Sequence, residues 1–171
     1  MPKSSETAVD LSSLPEALKP MRERLLANLV MIAQIPAPSG NEEARVRFLL
    51  DRFTEAGLAD AAADEVGNAV GRWHGRDGKR TILLSSHLDT IYPANFDHNV
   101  TVESDRVLGA GTGDNALGAA IVSMMPFVLN HLGIELQSDL ILLGSTNSLE
   151  RGNHAGIRFF LEHLNSRVDV G

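Results

Sequence analysis

His87 and Asp89 close the stretch Thr81-Ile82-Leu83-Leu84-Ser85-Ser86-His87-Leu88-Asp89-Thr90, with one leucine between them. On an extended backbone, residues two apart project from the same face, so an imidazole and a carboxylate stand side by side. The run before them is β-branched and aliphatic and predicts a buried strand. A strand running out into solvent ends on polar residues of this kind. A metal ligand with its orienting carboxylate ends a strand in the same way, at the carboxyl edge where open α/β sheets place their sites. The stretch alone leaves both readings open.

A second motif follows in Leu108 to Ala120, LGAGTGDNALGAA. Gly109, Gly111 and Gly113 alternate, and Asp114 and Asn115 then open an apolar helical pattern. Glycines permit a tight turn and a close approach to the backbone. A carboxylate in the first turn of a helix is also favoured by the helix dipole. A phosphate loop is a poor fit, because no Lys-Ser/Thr pair follows the glycines and Asp114 would repel phosphate. A glycine-rich turn with an aspartate cap remains the plain alternative.

The elements that would position these residues are legible around them. A helix is predicted from Ser13, where Glu16 completes a capping box, with Leu18, Met21, Leu25, Leu29 and Ile32 at helical spacing. Ser39 with Glu42 repeats the capping-box pattern and opens a second helix through Phe53, closed by Gly57. GNAVGRWHG and RTILLSSH read as strands joined by the turn GRDGK, and VTVESDRVLG as a small hairpin around Ser104 and Asp105. A third helix is expected from Asp114 to His131, then a strand in SDLILLGS and a last helix in GIRFFLEHLN. Strands alternating with helices argue for an α/β sheet covered on both faces.

Composition narrows the function. The chain has 171 residues, 43% hydrophobic and 22% charged, within the range of one globular domain. A net charge of −7 without a dense basic run argues against a nucleic-acid partner. The absence of cysteine excludes disulfides, thiolate metal sites and a thiol nucleophile. MPKSSETAVD has no apolar core of a signal peptide, and the apolar run Leu117 to Leu129 is too short to span a bilayer. A cytoplasmic protein without a membrane partner is the expectation.

Taken together, the two motifs resemble the cocatalytic di-zinc amidohydrolase and peptidase family, which includes acetylornithine deacetylase, succinyl-diaminopimelate desuccinylase, aminoacylase and carboxypeptidase G. A His-x-Asp ends a strand, and a Gly-x-Gly-x-x-Asp-Asn follows some two dozen residues later. PAPSGNEEARVRFLLDRF, GNAVGRW and DLILLGS fall in family order around them. The resemblance implies a three-layer α/β/α zinc-peptidase-like domain with a mixed central sheet. It further implies two zinc ions, with His87 as a ligand, Asp89 as its orienting partner and catalytic-site carboxylate, and Asp114 as the bridging ligand. The peptide bond Asp114–Asn115 would be cis. Substrates would be peptides or N-acyl amino acids, cleaved at an amide bond.

The sequence departs from the family in two places. After DLILLGS the family carries a Glu-Glu pair, the first a general base and the second a zinc ligand. Here Ser148 and Leu149 fall at those positions, or Leu149 and Glu150 if the alignment shifts by one. Neither Ser nor Leu accepts a proton from metal-bound water at neutral pH. Glu150 is then the candidate third metal ligand, with His154 a weaker substitute; His98, in NFDHN, reads as an exposed loop histidine. Family members also continue into a lid or dimerisation domain and a returning C-terminal half that this sequence lacks. Residues 1–12 thus read as a flexible N-terminus and 13–171 as a partial, truncated catalytic domain. The expectation is weak or absent zinc binding and impaired hydrolysis, in a homo-oligomer or part of a longer chain. A non-catalytic binding or assembly module on the same fold is the alternative.

Overall fold

A computed structural model describes residues 11–164 and 167–171, so the flexible segment expected at the N-terminus lies, for residues 1–10, outside the described residues. Six strands form among the described residues: β1 (Ala59–Ala63), β2 (Ala69–Trp73), β3 (Thr81–His87), β4 (Thr101–Val102), β5 (Val107–Leu108) and β6 (Asp139–Ser145). The main sheet has the order β1-β2-β6-β3, with β6 antiparallel to β2 and parallel to β3. The sheet is therefore mixed. The turn between β2 and β3 does not make a hairpin, because β6 inserts between them. β6 is buried along nearly its whole length, as a central strand of continuous aliphatic sequence should be. β4 and β5 form the small hairpin expected around Ser104 and Asp105.

The described residues form five α-helices: α1 (Leu14–Ala17), α2 (Arg22–Ala33), α3 (Glu43–Glu55), α4 (Leu117–His131) and α5 (Ala155–His163). The single helix expected from Ser13 is broken by a 3-10 turn at Lys19–Met21. Pro20 lies in that turn and lacks the N–H that a continuous helix would use. The larger core, with Ile32, Leu49, Phe53, Ala119 and Leu142 fully buried, is built by α2, α3, α4 and one face of the sheet. Phe160 of α5 closes a smaller core on the other face with Val70, Leu83, Ile141 and Leu143. Both faces are covered. Thr112 to His131 is apolar enough over 20 residues to match a membrane span by length and composition. Much of α4 is nevertheless buried against α2, α3 and the sheet, as in a core helix.

Two corrections to the expected elements bear on the site. β3, expected as a buried strand, is an edge strand among the described residues. Its outer side is met only near its start, where Leu83 N–H donates to Val170 O at 2.8 Å and Asp169 N–H to Thr81 O at 2.9 Å. α4 begins at Leu117, three residues later than expected, after a wide turn at Thr112–Ala116 in which Asp114 and Asn115 have non-helical backbone angles. Asp114 thus stands ahead of the helix and not in its first turn.

Candidate metal centre

The parallel register of β3 with β6 sets His87 opposite Ser145, so the carboxyl ends of the two strands lie side by side. The segment after β6 is anchored by Asn68, fully buried at the start of β2. Its side-chain oxygen accepts from Thr146 N–H at 2.9 Å, and its amide nitrogen donates to Gly156 O at 2.9 Å. Gly156 is required here: a Cβ would run into the Thr146 carbonyl and the Asn68 side chain. Sequence reading did not single out Asn68, whose role depends on pairing across 78 residues.

Asp89 is the hub. It is fully buried, and its Oδ2 accepts three hydrogen bonds: from Ser39 Oγ at 2.6 Å, Leu149 N–H at 2.7 Å and Ser148 N–H at 3.0 Å. Its Oδ1 makes no hydrogen bond among the described residues and lies 3.3 Å from His87 Nδ1. Burial pushes the Asp89 pKa up, but the nearby His87 ring and the bonds from Ser39 and Leu149 N–H overcome this and hold it well below the usual carboxylate range. Residues 148 and 149 are docked by their own backbone against the carboxylate that lies beside His87. The Ser148 hydroxyl is buried and paired with Ser145 Oγ at 3.2 Å.

His87 presents one ring nitrogen to each side. Nδ1 lies 3.1 Å from the Asp89 carbonyl, and Nε2 lies 2.9 Å from Asp114 Oδ1. The Asp89 carboxylate raises the His87 pKa above its ordinary value; partial burial opposes this and Asp114 reinforces it. With Nδ1–H donating to the carbonyl, Nε2 faces a carboxylate oxygen and needs a proton of its own to make that contact favourable. That proton stands where a cation would satisfy both groups at once. Asp114 itself is 78% exposed at its side chain, open to an incoming ion. The turn that carries it is held by Asn115, whose Nδ2 donates to Ser86 Oγ at 3.0 Å and whose Oδ1 accepts from Gly118 N–H at 3.1 Å. The Asp114–Asn115 peptide is cis, as the resemblance implied.

The structure thus brings His87, Asp89 and Asp114 together. Glu150 opens a short 3-10 turn, Glu150–Gly152, with a left-handed backbone. No group of three His, Asp or Glu side chains able to hold a metal forms among the described residues, so Glu150 and His154 do not join the pair. His98 is not the exposed loop histidine expected: its ring turns inward, Nε2–H donates to Pro93 O at 3.1 Å, and it is buried. An imidazole nitrogen facing a carboxylate oxygen is a donor pair that suits zinc or a similar divalent ion. The residues present therefore fit a metal, but would supply only two of the three protein ligands that a catalytic zinc ordinarily takes.

Three residues near the centre carry roles that sequence patterns misassigned or missed. Ser39 and Glu42, read as a capping box, do not cap α3. Ser39 bonds Asp89, and Glu42 Oε1 accepts from Asn147 N–H at 2.8 Å. Arg45, on the first turn of α3, is fully buried beneath the strand end.

The comparisons with known proteins agree with this geometry. The pattern of Peptidase family M28 matches residues 68–150, the span from Asn68 to Glu150. A protein named as a LysW-lysine/LysW-ornithine hydrolase of Thermococcus kodakarensis is 42% identical over 60 residues, 35% of this chain and 17% of that protein. Carboxypeptidase G2 of Pseudomonas sp. is 32% identical over 109 residues, 62% of this chain and 24% of that protein. A tripeptidase from Staphylococcus aureus superposes with a TM-score of 0.63 at 25% identity, over 84% of this chain and 40% of that one. The chain accordingly spans about a quarter or less of the length of these curated relatives. The His-x-Asp strand end and the Gly-rich Asp-Asn turn that faces it both lie within the matched span, and the chain resembles peptidases and amidohydrolases in sequence and in fold.

Proposed function

We propose that this chain carries the metal-holding half of a peptidase or amidohydrolase centre and is itself impaired in amide hydrolysis. His87 and Asp114 would hold a zinc or similar ion, and Asp89 would keep the imidazole in its ligating orientation. When bound, such an ion polarises a carbonyl and lowers the pKa of water. The residues of this chain bind and orient, but none at the docked segment moves a proton. The observation that carries the proposal is the pair of bonds from Ser148 and Leu149 N–H to Asp89. They fix these residues beside His87, where an alcohol engaged with Ser145 and an aliphatic side chain offer no base. The substrate class, where the family's chemistry operates, is a peptide or an N-acyl amino acid.

The test is an assay of the purified chain on N-acetyl amino acids and dipeptides, with zinc, cobalt or manganese supplied. The expected result is no turnover beyond that of Asp114→Ala. Turnover that Asp114→Ala abolishes would overturn the proposal.

A second reading, a binding or assembly module on the same fold, is favoured by the edge of β3. The terminal segment pairs with it only near Ile82, and no strand covers Leu84 to His87 among the described residues. An uncovered edge accepts another strand, including that of a second copy.

A further inference from the structure

We propose that Arg45 is a positioning residue for the metal centre, acting through Asp89: it pins the strand end between His87 and Asp89 and balances the buried Asp89 charge. The inference builds on the reading of His87 as a metal-holding residue and names a residue that reading does not require.

Arg45 is fully buried on α3, among the largest side chains that solvent does not touch. Its Nε donates to Ile35 O at 2.9 Å and its Nη1 to Leu88 O at 2.8 Å. Leu88 is the residue between His87 and Asp89, so the second bond fixes the Leu88–Asp89 peptide. The remaining nitrogen, Nη2, has no hydrogen-bond partner, and Arg45 forms no ion pair among the described residues. A buried cation without a paired carboxylate is costly, and an aliphatic side chain beside Val46 and Leu49 would cost less. Burial indeed pushes the Arg45 pKa down to about 10, with Asp89 acting in the opposite direction.

Asp89 explains why the charge is kept. The three groups that bond its Oδ2, a hydroxyl and two backbone N–H groups, are neutral. Its other cationic neighbour is His87, and an imidazole that ligates a metal is neutral. Arg45 supplies a positive charge that persists when His87 has given up its own. Together with the Nη1 bond to Leu88 O, that charge holds in place the strand end that carries the ring.

The test uses the whole chain, metal-free and at one fixed pH, with 15N-labelled histidine, the His87 ring signals being identified by their loss in His87→Gln. Arg45→Met is compared with wild type, Asp89→Asn and the double variant. Arg45→Met is expected to move the His87 ring signals toward averaged tautomers. In the Asp89→Asn background the same substitution is expected to move them no further, because the effect runs through Asp89. Wild-type His87 signals in Arg45→Met, or an equal shift with and without Asp89, overturn the inference. Should Arg45→Met fail to fold, restored folding in the double variant supports it, and failure of both overturns it.

Zinc titration adds a second arm, in which Arg45→Met is expected to bind about tenfold to a hundredfold more weakly. Wild type that shows an ordered His87 yet binds no zinc sinks the metal-site reading, and the ring signals still decide the role of Arg45.

Discussion

The Ser39 hydroxyl donates a 2.6 Å hydrogen bond to Asp89 Oδ2, joining the loop before α3 to the end of β3 across 50 residues of sequence. Hydrogen bonds to a buried carboxylate are shorter and stronger than neutral ones. This one makes the loop part of the centre and not a connector that passes by it.

Ser39→Ala is therefore expected to destabilise the chain by about 1.5–3 kcal/mol, the usual range for a bond to a charged group. Chemical denaturation measures it. A loss within the ±0.5 kcal/mol or so of an ordinary surface change would show that Asp89 does not depend on the hydroxyl.

Asp89 should also shape the acid limb of stability. Its folded pKa lies below that of the unfolded chain, about 3.9. The carboxylate thus contributes stability at pH above about 4, and that contribution is lost as the pH falls through the folded value. In chelating buffer, unfolding free energy should drop below about pH 4 in wild type and drop less in Asp89→Asn. Parallel acid limbs in the two proteins would contradict the assignment.

Gly118 faces the Asn115 side chain so closely that a methyl group there would collide with it. Gly118→Ala should displace Asn115, break its bond to Ser86 and cost about 1–3 kcal/mol. Because Asp114 precedes Asn115, zinc or cobalt binding should weaken as well. A variant of wild-type stability and metal affinity would show that the turn repacks freely.

Replacing Ser148 and Leu149 together by glutamate should not produce hydrolysis. The Ser148 side chain is buried against Ser145, with no room or partner for a second charge beside Asp89. The expected outcome is a less stable chain with no turnover of N-acetyl amino acids. Measurable turnover from this double variant would mean that the missing base alone had silenced the centre.

The uncovered length of β3 predicts a dimer or larger assembly at working concentrations, although a net charge of −7 opposes it. Size-exclusion chromatography with light scattering decides the matter. A stable monomer at high concentration would show that the pairing of residues 169–170 with β3 protects the edge sufficiently.

Much of this fold could be read from local pattern. The aliphatic runs of β3 and β6 and the helical spacing of α3 and α4 are set by neighbours close in sequence, and they formed where expected, except that α4 starts at Leu117. β1 escaped notice because Ala59 to Ala63 has neither β-branched residues nor alternation with a clear apolar face. His87, Asp89 and Asp114 were legible because their types and spacing are unusual for a strand end and a turn. Ser39 and Glu42 were misread because a capping box and a pair of long-range hydrogen bonds use the same residues. Local spacing favoured the cap, and the buried Asp89 and the loop at Asn147 won. Arg45 was invisible for a related reason: an arginine on an amphipathic helix ordinarily faces water, and only the folded arrangement shows what charge lies beneath it.

The wiring of Asp89 bears on the order in which the molecule assembles. Its partners lie 50, 59 and 60 residues away, and the neighbouring bond from Asn147 to Glu42 spans 105. Each such contact closes a long loop, whose entropy must be lost before the contact gives anything back. The helices and the β4–β5 hairpin need no such closure and can form early. On this account the centre is completed late, after β6 has slotted between β2 and β3, and metal capture during refolding would lag behind the gain of helix signal.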